Sequence, residues 1–195
     1  MKAALWTVFA AIISFVHGVP HPRGSTVVNV RSQASPETCG NGNTTDLVAL
    51  YETYDAANTI HFYTIIDSNV TVALQEGQYA FNGVVGLIFP ILEPSTLPFL
   101  CLSNPKTSSY FYTTSETERA NALAAGYTDY TTMGYIYTTQ VCGSVPLYRV
   151  HFIGANADYI YTTSIVDRDN AIVQGFTDEG IAGYVMEPAS GMIIN

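Results

Sequence analysis

The chain has 195 residues, of which 48% are hydrophobic, and it carries 7 basic and 16 acidic side chains, a formal net charge of −9. A chain this acidic, without a cluster of Lys or Arg, repels phosphate backbones and anionic lipid headgroups. These numbers exclude nucleic acid and membrane surfaces as expected partners. The length allows one sizeable core, so we expect one domain.

Residues 1–18 have the features of a signal peptide. Lys2 supplies a positive start, and the apolar run that follows is too short for a comfortable membrane span. We therefore expect a secreted, extracellular protein with a leader over 19–46 and a folded domain over 47–195. Asn43 and Asn69 begin N-glycosylation sequons, which agrees with passage through a secretory pathway.

An aromatic, hydroxyl-rich stretch occurs three times in the domain, beginning at His61, Tyr110 and Tyr159, 49 residues apart each time. A glycine follows each copy at the same distance. An internal period of this length indicates repeated supersecondary units. We place the three repeats at about 47–97, 98–144 and 145–195.

Each repeat begins with a short apolar strand, followed by a polar loop and the aromatic strand. Ser115 and Ser164 then have the pattern of helix N-caps, and Gly126 and Gly175 stand where a left-handed residue ends a helix. A closing strand completes the unit. We predict an α+β, mainly β fold of three strand-strand-helix-strand repeats, closed with pseudo-threefold symmetry because one unit cannot cover its own apolar face.

Three cysteines, Cys39, Cys101 and Cys142, can close one disulfide in three ways. We choose Cys39 with Cys142, on the idea that closure makes the first and third units neighbours.

The third repeat carries the motifs Pro-Leu-Tyr-Arg at 146–149, Tyr-x-Tyr-Thr-Thr at 159–163, Asp-Arg-Asp-Asn-Ala at 167–171 and Gly-Phe-Thr-Asp-Glu-Gly at 175–180. These motifs resemble a largely uncharacterised repeat of secreted microbial proteins, which often stands alone or beside hydrolase domains. The resemblance implies an accessory or binding module, with carbohydrate as the ligand class to test. The first repeat departs from the pattern, since Glu52 stands where the third has Arg149.

The residues that recur by position are the candidates for a ligand site. Aromatic rings can stack on sugars, but residues repeated in three units can equally form a shared core, and Arg168 with Glu179 can equally form an ion pair between helix and closing strand. The candidate ligand-binding residues are Tyr63, Tyr112, Tyr161, His61, Arg149, Arg168 and Glu179.

No nucleophile elbow, P-loop, dinucleotide-binding pattern or metal-ligand spacing occurs, so we expect no catalytic residue, no cofactor and no metal. The function we expect is a secreted, non-catalytic, lectin-like module that binds an extracellular glycan or a cell-wall polysaccharide. One alternative is a structural or protein-interaction module with a protein partner. The other is an extracellular hydrolase, which a cleft joining His61 or His151 to a carboxylate would favour.

Overall fold

The computed structural model describes Cys39 and residues 47–76, 78–154 and 157–188. The predicted signal peptide, the sequon at Asn43 and Gly77 lie outside the described residues. Among the described residues, no helix combines the length and the hydropathy needed to cross a bilayer.

The elements run strand, strand, helix, strand in three successive segments, so the prediction of a mainly β chain with three helices is confirmed. The first segment contains β1 (Val48–Asp55), β2 (Ile60–Thr64), α1 (Asp67–Gln75) and β3 (Ala80–Ile88). The second contains β4 (Thr96–Ser103), β5 (Tyr110–Thr113), α2 (Glu116–Ala124) and β6 (Thr128–Tyr137). The third contains β7 (Val145–Phe152), β8 (Asp158–Thr162), α3 (Ile165–Val173) and β9 (Thr177–Val185).

All strand pairs are antiparallel, and they form a three-stranded sheet, β2-β1-β3, and a six-stranded sheet, β5-β4-β6-β9-β7-β8. In each segment the first strand lies in the middle and pairs with the other two. Single bridges, Leu87 to Met186 and Phe89 to Tyr135, connect the two sheets.

Sequence-local signals account for the ends of α2 and α3. The Ser115 and Ser164 side chains accept hydrogen bonds from the backbone N–H groups of Glu118 and Asp167, as N-caps do. Gly126 and Gly175 have φ of 96° and 100°, and the hydrogen bonds around them form Schellman motifs. Both caps were predicted. In contrast, α1 forms without a side-chain cap at Ile66.

The core is built around three tyrosines, Tyr63, Tyr112 and Tyr161, whose exposed fractions are 1%, 0% and 1%. Their ring centroids lie 5.3 to 5.5 Å apart with steep interplanar angles, the edge-to-face arrangement that aromatic quadrupoles favour. Aliphatic and aromatic side chains from all three segments surround them, among them Leu50, Ile88, Phe99, Ile136 and Leu147.

A disulfide joins Cys39 to Cys142, with their Cα atoms 5.6 Å apart, and this pairing was predicted. A disulfide is compatible with an oxidising, extracellular compartment. Cys101, the remaining cysteine, is buried and forms no disulfide in the described chain. Burial raises the pKa of its thiol to about 12.

Candidate functional site

The three core tyrosines use their hydroxyls on each other's backbone. The hydroxyl of Tyr112 accepts from the amide of Tyr63, that of Tyr161 from the amide of Tyr112, and that of Tyr63 from the amide of Tyr161. Their burial leaves no ring face open to a sugar. At these three positions the structure therefore supports packing, the alternative already considered, over ligand contact.

Arg149 is also buried and is occupied by protein partners. Its guanidinium donates to both carboxylate oxygens of Glu118, at 2.9 and 2.7 Å, and lies over the ring of Phe111. Its Nε lies 2.7 Å from Glu179 Oε2, an ion pair without hydrogen-bond alignment. The hydrogen bonds from Arg149 lower the pKa of the Glu118 carboxyl. Arg149 thus connects the second and third segments.

The expected ion pair between Arg168 and Glu179 is wrong. Arg168 hydrogen-bonds Asp169 on its own helix and lies over the ring of Tyr148, 4.9 Å from the centroid. Glu179 instead contacts Arg149 and His151, at 2.7 and 3.3 Å. Burial by itself would raise the pKa of Glu179, but these two partners lower it below its ordinary value. Arg149 is nearer because its strand, β7, pairs directly with β9, which carries Glu179.

His61 is the predicted site residue that reaches an open cavity. It lies on β2 of the first segment, and its Nδ1 is 2.7 Å from Asp158 Oδ2 at the start of β8 in the third segment. The other Asp158 oxygen accepts from the His61 backbone amide at 2.9 Å. On the opposite side, His61 Nε2 is 3.6 Å from Glu52 Oε1. The imidazole is therefore held between two carboxylates from different segments.

Two adjoining cavities open beside His61, between the first and third segments, and we call them together the polar cleft. They share four lining residues: His61, Asn82, Ile160 and Gln174. The aromatic part, about 440 Å³, is also lined by Tyr54, Phe152 and Phe176. The acidic part, about 400 Å³, is also lined by Glu52, Asp167 and Asn170.

Glu52 lies at the inner end of the acidic part, and its side chain is 19% exposed. Burial is the main cause that raises the pKa of its carboxyl, while His61 and hydrogen bonds from Asn82 and Tyr63 oppose the rise and the charge of Asp167 adds to it. Irregularities in the pairing of β1 with β3 flank Glu52 on both sides. Such bulges turn a side chain away from the regular alternation of a strand, which explains how a charged residue beside the core reaches the cleft.

A smaller cavity of about 270 Å³ lies between the second and third segments, and we call it the arginine cleft. Phe111, Glu118, Asn121, Ala122, Ala125 and Tyr127 line it, each 49 positions before Ile160, Asp167, Asn170, Ala171, Gln174 and Phe176 of the polar cleft. Arg149, Tyr159 and Glu179 complete it. The two clefts are thus built from corresponding positions, but the arginine cleft is smaller and is lined by an ion-paired guanidinium.

Sequence reasoning missed most of the polar cleft. Glu52 was noted only as a departure from Arg149, and that exchange of charge was the available signal. No such signal exists in the sequence for Asn82, Asp158 and Gln174, because their nearness to His61 depends on how the first and third segments meet.

Asn69, which begins the second predicted sequon, lies in α1. It is partly buried, and its side chain donates to Thr64 Oγ1.

No group of three or more His, Cys, Asp or Glu side chains in the described ranges is arranged to hold a metal ion. No curated protein and no solved structure shows significant similarity to the chain. The sequence model of one family, described as Domain of unknown function (DUF5648), matches residues 49–186. Because that match covers most of the chain, including every strand and helix described above, the protein belongs to the DUF5648 family.

Proposed function

We propose that the protein is a secreted, non-catalytic, carbohydrate-binding module, and that its sugar site is the polar cleft. The observation that carries the proposal is the composition of the aromatic part. It combines three aromatic side chains with exposed amide groups in a cavity of about 440 Å³. Ligand sites for small molecules have this size and this mix of apolar wall and few polar groups.

The aromatic side chains that line this part of the cleft are all partly or largely exposed. Phe152 is 38% exposed and packs against Phe176, with ring centroids 5.4 Å apart. Tyr54 lines the other side and packs against His61. A pyranose has an apolar face of C–H groups, so exposed rings in a cavity suit it in a way that the buried core tyrosines do not.

The amides of Asn82 and Gln174 are exposed and line both parts of the cleft. Each amide can donate two hydrogen bonds and accept others, which matches the donor and acceptor character of sugar hydroxyls. The net charge of −9 disfavours anionic sugars. A neutral or cationic glycan of an extracellular surface or a cell wall is the ligand we propose.

We also infer that the three segments are related by a pseudo-threefold axis. The cyclic order of the tyrosine hydrogen bonds supports this. A second cycle supports it too. Gly86 lies against Val185, Gly134 against Phe89 and Ile88, and Gly183 against Ile136, each too closely for a Cβ. Because the guanidinium of the arginine cleft is already ion-paired with Glu118 and Glu179, we propose the polar cleft alone as the sugar site.

Two alternatives have specific support. The burial of the core tyrosines agrees with a structural or protein-interaction module. The contacts of His61 with Asp158 and Glu52 agree with a hydrolase, in which a carboxyl of raised pKa would act as general acid. Among the described residues that line the cleft, however, no Ser or Cys stands beside His61 as a nucleophile.

The test is binding of the purified protein to a broad glycan array, followed by calorimetry with the best ligand. Phe176→Ala should weaken binding by about tenfold or more, as expected for a stacking residue. Tyr127→Ala, at the corresponding position of the arginine cleft, is the matched control and should bind normally. Silence across the array from folded protein would refute the proposal, and release of reducing ends from a bound glycan would identify a hydrolase.

A further inference from the structure

The arginine cleft shows what the fold places between corresponding carboxylates. There the guanidinium of Arg149 is hydrogen-bonded to Glu118 on one side and ion-paired with Glu179 on the other. It lies 5.0 Å from the centroid of the Phe111 ring. This position of the fold therefore holds a cation between acidic groups and an aromatic wall.

The polar cleft has the same position without an arginine, and the basic side chain there is His61, whose Nε2 lies 3.6 Å from Glu52 Oε1. Glu52 and Arg149 occupy corresponding places, since each is paired with a core tyrosine, Tyr63 and Tyr161, in the strand register. Asp167 corresponds to Glu118, 49 residues earlier. Exchange of the arginine for Glu52 removes the one guanidinium and adds a second carboxylate beside Asp167, and within the described chain no Lys or Arg lines the polar cleft.

The acidic part is also larger than the arginine cleft, about 400 Å³ against about 270 Å³. It is continuous with the aromatic part through four shared lining residues, two of which carry side-chain amides, Asn82 and Gln174. A ligand that lies across this border would meet rings and amides at one end and carboxylates at the other.

We propose that the polar cleft binds a sugar bearing a free amino group, with its ammonium facing Glu52 and Asp167 and its ring against the aromatic wall. This inference rests on the proposed function and names the ligand class for the same site. The ammonium takes the place that the Arg149 guanidinium has in the arginine cleft. An N-acetylated sugar lacks that charge and cannot form the charge-assisted contacts.

Two short oligosaccharides with the same β-1,4-linked backbone test this, one of glucosamine and one of N-acetylglucosamine. Affinities are measured by calorimetry at about pH 6, where the free amines are protonated, and at about 0.15 M salt, where nonspecific attraction to an acidic protein is screened. We expect the aminated oligomer to bind at least about tenfold more tightly, the scale of one hydrogen bond between charged groups.

Glu52→Gln and Asp167→Asn keep the shape of the side chains and remove their charges, and each should reduce that preference by about tenfold. Glu116→Gln is the matched control, because Glu116 is an exposed carboxylate in the first turn of α2, as Asp167 is in α3, but lies outside the polar cleft. It should leave the preference unchanged. Thermal unfolding verifies that each variant is folded.

Equal binding of both oligomers would overturn this inference and leave the proposed function intact. Binding of other glycans on the array, with no binding of either oligomer, would also overturn this inference and leave the proposed function intact. Silence towards every glycan would refute both proposals. Binding of an arginine-containing peptide through Asp167, with no sugar bound, would overturn the inference in favour of a protein partner.

Discussion

Glu52, Cys101 and Arg149 show how one side chain per segment sets the character of each neighbouring surface. Each is paired with a core tyrosine in the strand register and is flanked by irregularities in strand pairing. Arg149 is ion-paired beside its cleft, and Cys101 is a buried thiol with no charge to satisfy. Of the three residues, only Glu52 is an acid, and it lies beside a cavity, which is why we place the proposed site between the first and third segments.

Glu52 should reduce stability as pH rises. Its carboxyl has a raised pKa in the fold, so the folded state holds the proton more tightly than the unfolded chain does. The contribution of Glu52 to the free energy of unfolding should therefore fall as pH rises from the ordinary pKa of 4.5 through the raised value. Glu52→Gln removes this loss, so its free energy of unfolding should rise relative to that of the wild type over the same pH range.

The measurement is denaturant unfolding of both proteins between about pH 4 and pH 7, with the linear extrapolation to water. Only the change with pH in the difference between the two unfolding free energies tests the prediction, because the amide that Glu52→Gln introduces can alter stability by the same amount at every pH. Glu116→Gln, which also removes one exposed negative charge, should show no such trend. A difference between wild type and Glu52→Gln that stays constant across the range would contradict the prediction.

At the scale of elements, helix termini are where sequence and structure agree best. The caps of α2 and α3 depend on residues within one turn, so local pattern is sufficient to predict them. The choice of residues on the buried face of these helices depends less on local sequence. Leu123 and Ile172 are 36% and 39% exposed, while Ala171 is 4% exposed. The helices are packed closely enough that alanine suits the contact and larger neighbours turn outward.

Gly175→Ala should destabilise the protein by about 1 kcal/mol, the cost of a left-handed backbone for a residue with a Cβ. The added methyl would meet nothing within 4 Å, so the cost is conformational and not steric. Gly175→Asn should cost less, since Asn tolerates this conformation better. Chemical unfolding of the three proteins measures the order, and an Ala variant as stable as the Asn variant would contradict the backbone explanation.

The period of 49 residues was enough to predict the order of the elements, and the motifs with the family resemblance were enough to choose candidate residues. The repeat pattern and the motifs could not decide which of these candidate residues face a cavity. His61 and Asp158 are 97 residues apart and meet only through the arrangement of the segments. The pairing of Arg168 with Glu179 failed for a more local reason, because the register of β7 with β9 placed Arg149 closer. Repetition identified structural positions, and the departure from repetition at Glu52 lies beside the cleft that we propose as the site.

At the scale of the whole molecule, the tyrosine hydroxyls connect segments that are far apart in sequence. The hydroxyls of Tyr112 and Tyr161 each accept from one backbone amide and donate to one backbone carbonyl of the next core tyrosine. The Tyr63 hydroxyl accepts from the amide of Tyr161 but donates to Glu52. The ring of contacts thus departs from regularity at the same residue that opens the polar cleft.

Replacement of these tyrosines by phenylalanine separates their polar role from their packing role, since each ring stays in place. Tyr112→Phe and Tyr161→Phe each leave a buried amide and a buried carbonyl without the hydroxyl, and a buried unsatisfied group costs about 1–3 kcal/mol. Tyr63→Phe leaves only one backbone amide without its hydrogen bond. The other partner that it loses, the Glu52 carboxylate, lies beside the cleft and can be solvated there. Denaturant unfolding should therefore rank Tyr63→Phe as the mildest of the three. Equal losses would contradict this ranking, and losses near zero in all three variants would mean that packing of the rings, and not their hydroxyls, holds the segments together.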